Sequence, residues 1–348
     1  MNPARVKRAV NGLAERVVYI RWYERPLPRR HDIDDYVQMQ HCYDTCYDHL
    51  RKRRNLLRMI HHNVSQPHVP RDSTLGYTST HDTICPNRMA RQVTDDLFQL
   101  NGKIALVTGA SGGLGCHFAK LLAKRGATVI LTARRTALIE EAAEQIRQNG
   151  GHAHSFTMDV TDERAVSDTF AAVESGVGTA DIVINNSGIV IGESALKIDQ
   201  SEWDRVIDTN LRGVWTVARE AGKRLVAGQR GGSLINVASI LGLRVAKGVS
   251  SYAISKAGVI QMTRALSLEW ARYQIRVNAI APGFILTDFN RDYFESGAGD
   301  DTIAQIPQRR IGVPSDLDGT LLLLASDASS YMTGSVVVID GGHLNSSL

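Results

Sequence analysis

From Leu97 onward the chain alternates between two hydrophobic periods. Short apolar runs at 104–107, 128–132, 154–158, 181–184, 233–237, 276–280 and 335–339 predict seven strands. Between them, apolar residues recur at helical spacing over 138–147, 165–173, 202–224, 252–273 and 317–325. Strands separated by amphipathic helices pair in parallel, because each helix returns the chain along the face of the sheet. The expected fold is α/β, a doubly wound seven-stranded parallel sheet of Rossmann type. This half shows no internal repeat and no low-complexity segment.

Residues 1–95 lack that pattern and read as an irregular or disordered N-terminal extension, unassigned in function, ahead of a catalytic body at 96–348. The extension holds seven of the eleven histidines, the basic clusters Arg29-Arg30 and Arg51-Lys52-Arg53-Arg54, and a polar tract between Asn63 and Asn87 with three prolines. Val6, Val10, Leu13 and Val17 form one helical stripe flanked by Arg5, Lys7, Arg8 and Arg16. Such a stripe suits a docking or targeting arm, against which stand Glu15, Glu24 and the lack of serine. His41, Cys42, Cys46 and His49 lack a second ligand pair at zinc spacing, so no metal site is expected. Met89 lies a short lead before the first strand, where the catalytic body could itself begin.

The chain of 348 residues, 43% hydrophobic, is long enough to bury a large core. It has no apolar run of bilayer length and no secretory signal. Of its four cysteines, Cys42, Cys46 and Cys85 precede the regular half, which gives no disulfide framework and points to a reducing compartment, the cytoplasm. The formal charge of +4 divides into +5 over residues 1–99 and −1 over the rest. The body therefore carries no bulk charge that calls for nucleic acid.

Candidate chemistry begins where the first strand meets Thr108 and the glycines Gly109, Gly113 and Gly115, after which Leu114, Phe118, Leu121 and Leu122 fall at helical spacing. Glycines let a strand-to-helix turn come close to a pyrophosphate, whose charge then rests on the free N–H groups of the helix. After the second strand, an NAD site would place an acidic residue on the ribose 2′-hydroxyl. Here stand Arg134 and Arg135. Arginine there suits a 2′-phosphate and hence NADP, and equally suits a solvated helix start.

Farther on come Asn185-Asn186-Ser187-Gly188, Asn210, Ser239, Tyr252 and Lys256, then Pro282-Gly283 after the sixth strand and Asp340-Gly341-Gly342 after the seventh. Together with Thr108-Gly-x-x-x-Gly-x-Gly, this set resembles the short-chain dehydrogenase/reductase family over about Leu97 to His343. The resemblance implies an NADP(H)-preferring oxidoreductase, with NAD(H) as a second option, that interconverts a small-molecule carbonyl and a secondary alcohol. It implies a homodimer or homotetramer. A non-catalytic dinucleotide-binding sensor or scaffold is the rival reading.

Tyr252 and Lys256, four apart, share one helix face. A phenol titrates near ~10, and a nearby ammonium lowers it toward use as an acid–base. The resemblance gives Ser239 the substrate oxygen, Lys256 the nicotinamide ribose as well, and Asn210 a water that links Lys256 to solvent. It places Gly109, Ser111, Gly113, Leu114 and Gly115 around the pyrophosphate. Asp159 and Val160 fall to the adenine, Asn186, Ser187 and Gly188 to the adjoining ribose, and Pro282, Gly283, Ile285 and Thr287 to the nicotinamide side. Ser187 replaces the family's usual alanine, and Gly112 stands where many NADP-dependent relatives carry a basic residue. The substrate side, residues 240–249 and 288–312, leaves 3-oxoacyl thioesters, sugars or polyols, and steroid-like ketones all open.

Overall fold

The computed structural model describes residues 97–346 except Phe289 and Ala298. The basic stripe at Val6 to Val17, the His41 to His49 cluster and Met89 lie outside the described residues. Among the described residues, seven strands form a single all-parallel sheet: β1 (Ile104–Thr108), β2 (Thr128–Ala133), β3 (His152–Thr157), β4 (Ile182–Asn185), β5 (Gly232–Val237), β6 (Ile275–Pro282) and β7 (Val336–Ile339). Each overlaps its predicted run, with ends shifted by one or two residues.

The helices between them are α1 (Gly113–Lys124), α2 (Thr136–Gln148), α3 (Glu163–Gly176), α4 (Gln200–Ile207), α5 (Gly213–Ala227), α6 (Ser250–Trp270), α7 (Arg291–Glu295), α8 (Asp300–Gln305) and α9 (Asp318–Ala325). Both faces of the sheet are covered, and the pleat divides each strand between them. Ala105 and Val107 of β1, Val129 and Leu131 of β2, and Ile182 and Ile184 of β4 join the core beneath α1, α2 and α9. Their alternates Leu106, Ile130 and Val183 join the other core, beneath α3, α5 and α6. Burial on both faces makes the strands read as continuous apolar runs.

The strand order is β3-β2-β1-β4-β5-β6-β7. After β3 the chain returns to the middle of the sheet, so the connections of neighbouring β1 and β4 leave in opposite directions. That switch point opens a crevice at the carboxyl ends of the strands, where ligands of such sheets bind. The predicted helix over 202–224 is instead two helices joined by one π turn, Asp208–Arg212, in which the Gly213 N–H reaches back five residues to the Asp208 carbonyl.

Candidate active site

The turns after β1 and β4 interlock at the crevice. Asn186 donates its side-chain amide to the carbonyls of Thr108 (3.0 Å) and Gly109 (3.3 Å), while Thr108 Oγ1 accepts the N–H groups of Asn186 and Ser187, both at 3.0 Å. Gly109 sits at φ +64°, and a Cβ on Gly115 would stand 2.4 Å from the Gly109 carbonyl oxygen. Glycine is required by this contact. The Asn186 side chain thus shapes the turn.

Above that turn, α1 begins at Gly112, which offers no side-chain cap, and its first turn holds no acidic residue. An uncapped helix start presents free N–H groups and the positive end of the dipole, as an anion requires. The Leu114 side chain packs into the core, which leaves its backbone for the crevice. Arg135 reaches across the turn, Nε and Nη2 donating to Ser111 Oγ at 3.2 and 2.8 Å, and its guanidinium lies 3.8 Å from where a Cβ on Gly112 would be. Arg134 lies 3.9 Å from Asp159, both exposed, an ion pair that contributes little by itself. Asp159 is fixed by accepting the N–H and hydroxyl of Thr161, and Val160 is buried.

From the opposite side, the segment after β6 closes on the glycines. Thr287 Cγ2 lies 3.8 Å from where a Cβ on Gly113 would stand. Asn290 braces that segment, accepting the Thr287 N–H at 2.8 Å and donating to the Ile285 carbonyl at 2.9 Å. Ile285 is buried and bridges Gly312, and the Gly283 N–H behind Pro282 donates to Ile339. An uncapped helix start, glycines without room for a side chain and two arginines at the edge fit an elongated dinucleotide with phosphate groups.

The remaining predicted residues meet beside this cradle. Ser239, in extended backbone at the end of β5, caps the turn Ile240–Gly242 through its Oγ and hydrogen-bonds the Tyr252 hydroxyl. Lys256 is buried, donates to the Val237 carbonyl at 2.8 Å and lies 5.6 Å from the Tyr252 ring centre. Asn210 is fully buried in the π turn, the kind of helix irregularity that marks functional sites. Its Oδ1 accepts the Ile189 N–H at 2.8 Å, and its Nδ2 donates to the Ile189 carbonyl at 2.8 Å and to Ser255 Oγ at 3.2 Å. A Cβ on Gly188 would lie 3.4 Å from Asn210 Oδ1 and 3.5 Å from Lys256 Nζ, which places all three together.

The electrostatics correct one expectation. Burial pushes the Tyr252 phenol above its ordinary value, and the hydrogen bond with Ser239 offsets only part of the rise. Burial also lowers Lys256 to about 8. Lys256 lies beside the ring and directs a donor at a carbonyl, so in this state loss of hydration outweighs attraction between ammonium and phenolate.

Two features escaped the sequence reading. Asn185 and Asn236 face each other in register on β4 and β5, and their amides form a buried chain, Asn185 to Asn236 to Thr263 on α6, at 2.9 Å per step. That chain ties the strand ends leading to Gly188 and Ser239 to the helix carrying Tyr252 and Lys256. The second feature is the C-terminal turn. Arg244, in the loop after Ser239, donates to the His343 carbonyl at 2.5 Å, and the His343 ring lies against Phe284 at 5.7 Å. Only the doubled asparagine hinted at the first, and no local signal marked the second.

Comparison with known proteins agrees with this geometry. Residues 109–343 match the family model described as enoyl-(acyl carrier protein) reductase. The 3-oxoacyl-(acyl-carrier-protein) reductase FabG of Thermotoga maritima is 37% identical over 244 residues, 70% of this chain and 98% of that protein. The 2-dehydro-3-deoxy-D-gluconate 5-dehydrogenase of Escherichia coli is 35% identical over 250 residues, 71% of this chain and 97% of that protein. Among solved structures, gluconate 5-dehydrogenase from Burkholderia cenocepacia, in complex with NADP and tartrate, superposes with a TM-score of 0.70 at 30% identity, covering 72% of this chain and 99% of that one.

Proposed function

The chain belongs to the short-chain dehydrogenase/reductase family, and we propose that it is an NADP(H)-preferring enzyme that interconverts a ketone and a secondary alcohol at the crevice that opens at the β1/β4 switch point, on its β5 side. The meeting of Ser239, Tyr252, Lys256 and Asn210 beside the glycine cradle carries this reading. A sensor that kept only the cradle would have no need of this set.

The uncapped start of α1 and the N–H groups near Gly113 and Gly115 hold the pyrophosphate, and Asp159 with Val160 borders the adenine. Arg135, already lying over Gly112, and Arg134 receive the 2′-phosphate. Arg135 thereby supplies from the second strand a charge that Gly112 cannot. NADP in the related gluconate 5-dehydrogenase structure supports the same preference. When bound, the nicotinamide supplies the hydride in reduction and accepts it in oxidation.

Ser239 holds the substrate oxygen by a hydrogen bond, and Tyr252 gives that oxygen its hydroxyl proton as the carbonyl is reduced, taking it back in the reverse direction. A phenol raised by burial is protonated at neutral pH, the form that reduction requires. Lys256 donates to the nicotinamide ribose while it is charged, and a water linked to Asn210 restores the proton. Exposed Trp215 on α5 and Leu268 on α6 support assembly as a homodimer or homotetramer. The cysteine pattern supports a reducing compartment, the cytoplasm.

Tyr252→Phe removes the proton and keeps the ring. It is expected to lower kcat about a thousandfold with NADPH affinity nearly unchanged, read from nicotinamide absorbance and from a binding titration. A variant within about tenfold of the parent, near 1.4 kcal/mol, would deny Tyr252 the acid–base role.

A further inference from the structure

We propose that the substrate arm beside the reacting carbonyl is uncharged and apolar, an acyl chain or hydrocarbon ring, and not the polyhydroxy acid chain of a gluconate. This inference rests on the carbonyl–alcohol reading of the site above. The loop 240–249 follows directly on Ser239 and ends at Val249, three residues before Tyr252, so chain connectivity alone makes it a border of the reacting oxygen. The segment after Gly188 is joined to this loop by a bridge between Glu193 and Val249.

What these two segments turn outward is mostly hydrocarbon. Val190 is 39% exposed, Leu243 41%, Val245 82% and Leu196 97%. The segment after β6 adds Tyr293, half exposed and edge-on to Phe294 at 5.1 Å, and Phe294 meets Phe284 at 6.0 Å. Apolar side chains concentrated on the loops around one polar centre mark a binding surface.

A sugar acid needs a cation for its carboxylate and several side-chain partners for its hydroxyls. The guanidinium in the loop, Arg244, is turned to the C-terminal turn, where it donates to the His343 carbonyl and, at 3.4 Å, to Ser346 Oγ. Arg291 pairs with Asp288 and Glu295, and Arg310 with Asp316. The bridge residue Glu193 accepts the Ser194 N–H at 2.6 Å through its carboxylate, a negative charge that disfavours an acid nearby. Exposed Lys197 and Lys247 are the remaining cations on the two segments, and exposed Arg309 on the segment after β6 donates to the Ala304 carbonyl; an acid-binding rival must depend on these three.

The test follows NADPH oxidation by the full chain with 3-oxoacyl N-acetylcysteamine thioesters of increasing chain length, and with 5-ketogluconate. For the thioesters, kcat/KM is expected to rise about threefold per added methylene over the first few, and to exceed that for the sugar acid about a hundredfold. Val245→Asp, at an exposed position, is expected to remove most of the gain from chain length and leave NADPH affinity unchanged. A flat chain-length profile overturns the apolar arm, and so does a preference for 5-ketogluconate, whose cation Lys197→Ala, Lys247→Ala and Arg309→Ala would identify. Either result leaves carbonyl reduction standing. No NADPH consumption with either set overturns the arm and the underlying reading together.

Discussion

Around the glycine turn, the crevice is lined by short stretches directly after β1, β2 and β4, and backbone contacts set their fit to within a few tenths of an ångström. Around the loops after β5 and β6, the lining comes from residues as far apart as Arg244 and His343, and side chains decide what fits. At the dinucleotide end Gly109 and Gly115 have no room for a methyl, whereas Gly192 and Gly248 on the substrate side face open space. A family that keeps one cofactor and changes its substrates needs this division.

The same substitution made at both ends tests it most severely. In Gly115→Ala the new methyl would stand 2.4 Å from the Gly109 carbonyl oxygen and 2.6 Å from Asn186 Nδ2. We expect loss of measurable cofactor binding and destabilisation by about 1–3 kcal/mol. In Gly192→Ala, on the segment beyond Gly188 that the Glu193–Val249 bridge joins to the substrate-side loop, the methyl would meet nothing within 4 Å, and the change is expected to stay within about 0.5 kcal/mol. Thermal melts and a cofactor titration of the two variants decide the matter, and equal damage would erase the distinction.

A smaller effect is expected where the cradle relies on charge instead of shape. Replacing Arg134 and Arg135 together by Ala should weaken NADPH binding about ten- to a hundredfold and NADH binding less than about threefold. The difference should shrink as salt is raised, because both side chains are exposed. Equal losses for the two cofactors would show that the arginines only pack against the turn.

The smallest effect comes from Lys256, where the two ends meet. Its ordinary value of 10.5 is lowered to about 8 by burial, so the free enzyme carries the ammonium below pH 8 and loses it above. Binding that uses the charged form should be flat below pH 8 and weaken by up to about tenfold per unit above it. Lys256→Met should bind more weakly and show no such slope. For stability, the penalty of the buried charge is complete below pH 8 and is relieved as pH rises toward 10.5. An unchanged affinity between pH 7 and pH 9 would remove Lys256 from the cofactor contact.

The sheet, the glycine turn and the pairing of Tyr252 with Lys256 on one helix face were legible in the sequence. Strands buried on both faces must be continuous apolar runs, a turn with no room for a side chain must use glycine, and Tyr252 and Lys256 share a helix face by spacing alone. Each of these constraints acts within a few residues, so each leaves a local pattern. Tertiary structure decided the rest. The π turn at Asn210 divides what periodicity reads as one helix, because the asparagine side chain bonds to Ile189 on another segment. The chain from Asn185 through Asn236 to Thr263 needs the β4 and β5 register before its members meet. The rise of the Tyr252 phenol, opposite to the direction its neighbour Lys256 suggests, follows from burial, which depends on the whole fold and leaves no mark in the spacing of residues.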